Sequence, residues 1–158
     1  MLAPSDNLGR EGHMNGTMEI PRSKGFWLVA ILALIWNLIG VAMFWMQVNM
    51  SAEALAAMTE QQRQVYEATP MWLNVAFAIA VFGGVLGAIG MLMGKRWAVT
   101  MFFVSLLALL VQMIGAYLVT PAWDAYGVAG LVMPAVLIVI ALLFWRYAQK
   151  CVVRGWLV

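Results

Sequence analysis

Residues 25–48, 71–93, 97–119 and 127–145 contain not one Asp, Glu, Lys, Arg or His. Each run is about as long as the roughly 20 apolar residues that carry an α-helix across a bilayer. In hydrocarbon every backbone N–H and C=O must bond within its own segment, so such runs fold as helices or not at all. Four of them in one chain predict an all-α integral membrane four-helix bundle. Composition agrees: only 10% of the 158 residues are charged, against about 25% in a soluble domain. No room remains for a separate soluble domain.

The remaining segments divide simply. Residues 1–24 are polar and rich in Gly, Pro, Ser and Asn, which predicts a disordered tail. Met14 and Met18 are alternative starts, which leaves open whether residues 1–13 are native. Residues 49–70 form an outer loop, and residues 151–158 a cytoplasmic tail. The loop contains Leu55, Met58 and Val65 at helical spacing, and Thr59 followed by Gln62 fits a capping box. Two readings stand for it, a short amphipathic helix on the membrane face and a solvated connector. Pro134 is expected to bend the fourth helix or to sit in its first turn.

The charges orient the bundle. Arg22, Lys24, Lys95, Arg96, Arg146, Lys150 and Arg154 flank the spans on one side. Glu53, Glu60, Glu67 and Asp124 lie on the other, with Arg63 their one cation. Lys and Arg concentrate in cytoplasmic loops, so both termini are expected to be cytoplasmic. Trp27, Trp97 and Trp145 would then mark the inner interface, and Trp45, Trp72 and Trp123 the outer one.

Absences limit the chemistry. Cys151 is the single cysteine and His13 the single histidine, which excludes an intrachain disulfide, a Cys-based metal cluster and a bis-histidine haem. No nucleophile–base pair, metal-ligand set or phosphate loop is present, so no enzyme activity, catalytic residue, metal or cofactor is expected. The lack of an ionisable intramembrane relay argues against a carboxylate-driven pump. The partner implied is the lipid bilayer, together with a homo-oligomer or a larger membrane complex, and not nucleic acid.

Polar residues inside the spans carry what specificity there is. Asn37 lies roughly 20 Å beyond Lys24 by helical rise, and Gln112 roughly 24 Å beyond Arg96. Asn74 and Tyr117 lie nearer the outer surface. An amide facing lipid forfeits its hydrogen bonds, so Asn37 and Gln112 are expected to point into the bundle. One reading makes Asn37, Gln112, Asn74 and Trp36 the contacts of an outward-facing cup for a neutral polar solute. The plainer reading has Asn37 and Gln112 bonding each other or a carbonyl and joining helices, at about 0.6 kcal/mol per bond.

Two further patterns matter. Gly83, Gly87, Gly90 and Gly94 make a small-residue stripe on the second span, suited either to packing inside the bundle or to a docking face. Under one constant shift Asn37 falls on Gln112, Ile39 on Ile114 and Gly40 on Gly115. A parallel two-hairpin repeat about the membrane normal would produce that correspondence.

The segments "FWLVAILALIWNLIGV", "YEATPMWLNVAFAIAVFGG", "GKRWAV" and "FWRYAQK…RGWLV" resemble small bacterial four-helix membrane proteins that often carry the label "sugar transporter". The resemblance covers roughly residues 25–156. It implies a bacterial inner-membrane location and a sugar-like solute, and it supplies no binding residues. Trp36-Asn37 falls on the Trp-Asn pair of that group. Three hypotheses follow: binding or passage of a small neutral polar solute, a non-catalytic accessory subunit docked through the glycine stripe, and a lipid or quinone binder.

Overall fold

The computed structural model describes residues 21–158. His13, Met14, Met18 and the rest of the polar segment up to residue 20 lie outside the described residues. Among the described residues every regular element is helical. The long helices are α1 (Lys24–Val48), α4 (Met71–Leu92), α5 (Trp97–Val119) and α7 (Val132–Val153). Three short ones lie between them: α2 (Ala52–Ala56), α3 (Glu60–Ala68) and α6 (Ala122–Tyr126). A 3-10 turn over Val128–Leu131 leads into α7. All four long helices are long and apolar enough to cross a membrane.

The helices pack in the order α1–α4–α5–α7. The tightest joint, α4 to α5, follows from small residues. Gly83 abuts Ser105 and the Met101 carbonyl, Gly87 the Phe102 ring, and Gly90 Trp97 and Ala98. Gly84 faces the other way, toward Asn37 of α1. The stripe is therefore covered inside the chain. Without side chains at these positions the backbones approach closely, which is how helices gain van der Waals contact in lipid. Gly94 stands apart from this role. It lies beyond the helix at φ +71°, a left-handed conformation that suits glycine.

That glycine closes α4 with a Schellman motif: Lys95 N donates to Gly90 O at 2.8 Å and Gly94 N to Met91 O at 2.9 Å. Gly155, at φ 72°, repeats the device after α7. There Trp156 N donates to Cys151 O and Gly155 N to Val152 O, both at 2.9 Å. The chain is thereby turned back against the bundle. Val158 N donates to Gly94 O at 2.8 Å, and Arg96 N donates to Val158 O at 3.1 Å. Arg22 Nε donates to Trp156 O at 3.1 Å, and its guanidinium lies 5.6 Å from the Phe26 ring centroid. Leu157 is driven into a core made by Phe26, Ala30, Ala33, Ala88, Met91, Ala98, Phe102, Ala148 and Cys151.

The structure changes three expected boundaries. The segment set down as a tail from residue 151 is the end of α7 plus a wedge. The fourth helix starts at Val132 and runs to Val153, against the expected 127–145. Gly127, at φ 56°, ends α6 and delays the helix start, and Pro134 sits in the first turn of α7. At the other side of the chain Ser23 caps α1 by accepting from Phe26 N at 3.2 Å, so Ser23 and Lys24 belong to the helix start.

The loop between α1 and α4 holds two helices. Ser51 caps α2, and Thr59 and Gln62 form a complete capping box on α3. Arg63 reaches Glu60 at 2.7 Å and Glu67 at 3.7 Å. Such exposed pairs add little stability, but they leave that end of the bundle with uncompensated acid. Helix α3 touches α6 across the top. The molecule thus has a basic end, sealed by Leu157, and an acidic end roofed by short helices.

Candidate functional site

The row of helices curls without closing. Helices α1 and α7, at its two ends, barely touch. They are bridged at the basic end by the wedge at Leu157. Above the wedge lies a cavity of about 290 Å³. Its back is α4 and α5 (Phe77, Ala80, Val81, Phe102, Ser105, Leu109, Gln112), and its sides are α1 and α7 (Trp36, Asn37, Gly40, Met43, Gln47, Leu137, Ala141, Phe144). Phe102 stacks on Phe144 at 6.0 Å between centroids and forms the floor.

A second space of about 500 Å³ lies toward the acidic end, beneath α2 and α3. Met43, Gln47 and Gln112 line both spaces, which therefore adjoin there. Met46, Met50 and Met58 add three more flexible thioethers to the upper wall.

The four residues selected from the sequence divide three to one. Trp36, Asn37 and Gln112 share the inner cavity. Asn74 does not line it. Asn74 lies on the flank of α4 and accepts from Gln47 Nε2 at 2.9 Å. The residue missed is Gln47, which joins the cavity to Asn74. Gly40 and Gln47 lie two turns apart on one face of α1, as Ser105 and Gln112 do on α5. That shared spacing of polar or small positions was the available signal.

Hydrogen-bond accounting distinguishes the polar groups. Asn37 Nδ2 donates to Ala33 O of its own helix at 2.8 Å, and Oδ1 occupies the space a side chain at residue 84 would need. Asn37 thus seats α1 on α4 by shape, and its one side-chain bond joins no two helices. Ser105 Oγ donates to Ala80 O at 2.5 Å and does join α5 to α4. Ser105→Ala is expected to lower stability by about 0.6 kcal/mol, the average for such bonds in membranes, measurable by detergent unfolding. Gln112 differs from all of these. Its Oε1 is buried and has no hydrogen-bond partner among the described residues. An orphaned buried acceptor costs about 1–3 kcal/mol.

Among the described residues no group of His, Cys, Asp and Glu is arranged to hold a metal ion. The cavity chemistry is that of neutral amides, one hydroxyl and aromatic faces. It can bind and orient a neutral molecule. No known protein family, curated protein or solved structure matches this chain.

Proposed function

We propose that this protein is a non-catalytic, multi-pass protein of a bacterial inner membrane that binds a small neutral solute between α1 and α7. The observation that carries the reading is Gln112 Oε1, a buried acceptor without a partner on the wall of a cavity. An acceptor kept in this state at a cost in stability fits a ligand that donates to it. The basic end, with Arg22, Lys95, Arg96 and Lys150, faces the cytoplasm on the positive-inside argument. The solute then approaches from the outer side under α2 and α3. The repeat suggested by the matched amides would relate the α1–α4 pair to the α5–α7 pair. The alternative, an accessory subunit docked through its glycine stripe, is disfavoured because Gly83, Gly84, Gly87 and Gly90 are buried within the chain.

The test is a pair of measurements on Gln112→Leu. Removing the orphan acceptor should raise the stability of the ligand-free protein by about 1–3 kcal/mol. The same change should abolish thermal stabilisation by neutral solutes that protect the wild type. A variant that is less stable than wild type, or that still responds fully to such solutes, would overturn the reading.

A further inference from the structure

Four methionines border the space beneath α2 and α3: Met43, Met46, Met50 and Met58. Local structure brings them there. Met43 and Met46 are one turn apart on α1 and share a face. Met50 follows just past the end of that helix. Ser51 then caps α2, and Thr59 caps α3. Between those caps Met58 N donates to Leu55 O at 3.3 Å, and Met58 returns to the same space. Methionine commonly fills gaps in a packed core, as Met91 does at 0% exposed. This group does not: Met46 is 64% exposed and Met43 55%. The four side chains border open space and have the rotational freedom to turn their sulfurs into it.

The donor set decides which ion would fit. A thioether is a neutral, polarisable ligand that selects soft ions such as Cu(I). Calcium and magnesium take oxygen ligands, carboxylates above all, and zinc takes thiolate, imidazole or carboxylate. Among the described residues no carboxylate, thiolate or imidazole lines this space. Charge favours a monovalent ion as well. Neutral ligands leave the whole charge on the metal, and the cost of taking it out of water rises with the square of that charge. Glu53, Glu60, Glu67 and Asp124 belong to the short helices of this end, with Arg63 as the cation among them. Their field draws cations toward the space without supplying a hard ligand inside it.

We propose that Met43, Met46, Met50 and Met58 form a thioether site for a soft monovalent metal ion, Cu(I) or Ag(I). Binding is by coordination alone, with no bond broken and no electron transferred. The site is independent of the solute reading, since Gln112 is not among its ligands.

The experiment titrates the full chain, in detergent micelles and with isotope-labelled methionine methyl groups, with silver nitrate in chloride-free buffer. The methyl signals of Met43, Met46, Met50 and Met58 should shift together along one binding curve. Met133, 65% exposed on α7, should not respond. Silver at the buried Cys151 thiol would instead move Met91, which shares its core. Met46→Leu and Met58→Leu keep side-chain volume while removing a sulfur. Each should weaken silver binding at least about tenfold, since even changes outside the ligand set cost a metal site that much. Calcium and zinc should leave all four signals in place. Gln112→Leu should bind silver as the wild type does, so the metal site and the solute site stand or fall separately. Four signals that move at unrelated silver concentrations would overturn the proposal. So would wild-type affinity in both leucine variants, or an equal response to calcium.

Discussion

Leu157→Ala will destabilise the folded protein by about 3 kcal/mol, near the middle of the range for emptying a buried leucine site. The residue is 1% exposed, and its neighbours are poor at filling a hole. In the same core Ala30, Ala33, Ala88, Ala98 and Ala148 present only methyl groups, and Met91 is the one flexible side chain that could move in. Val158, 70% exposed, supplies the control. It holds its place through backbone bonds to Gly94 and Arg96, so Val158→Ala should cost no more than about 0.5 kcal/mol. Unfolding in mixed micelles with rising SDS measures both. Equal losses would mean that the wedge carries no packing energy.

Gly87→Leu should cost as much or more, about 3 kcal/mol or above. A bare Cβ at this position would already lie 2.9 Å from Cγ and Cδ1 of Phe102. The ring, 3% exposed, can yield only toward the cavity whose floor it forms, at the cost of its stack on Phe144. Relief therefore either breaks that stack and fills the cavity floor or separates α4 from α5, the tightest joint in the bundle. Gly87→Ala should fall between wild type and Gly87→Leu. Leu86, 45% exposed on the lipid side, should tolerate alanine with little change. A Gly87→Leu protein as stable as the Leu86→Ala protein would contradict this packing.

The long helices were legible because hydrocarbon imposes a length and forbids charge. That constraint acts on composition, and composition is visible in a sequence. The capping box at Thr59 and Gln62 was equally open, since it is local chemistry three residues long. What sequence could not rank was direction around a helix. Where a helix is apolar on every side, no hydrophobic stripe tells the lipid face from the core face. Asn74 was therefore grouped with Asn37 as a cup residue, and Gln47 was not singled out. Their true relation, one hydrogen bond between α1 and α4, depends on helix rotation alone. Residues 151–158 were misjudged for another reason. Basic residues and a glycine after an apolar run look like an exit into solvent. Yet glycine followed by Trp156 and Leu157 is also the pattern of a Schellman cap with its apolar contact, and the structure uses it so.

The wedge at the basic end has a consequence for biosynthesis. A ribosome makes α1, α4 and α5 long before it reaches the glycine that reverses the chain. The helices can associate while the stopper is still unmade. A chain cut before Gly155 would contain every span and yet lack the wedge that shares a core with Ala30, Ala33 and Met91. Quality-control proteases that recognise such a surface would therefore distinguish chains that have the wedge from chains that lack it.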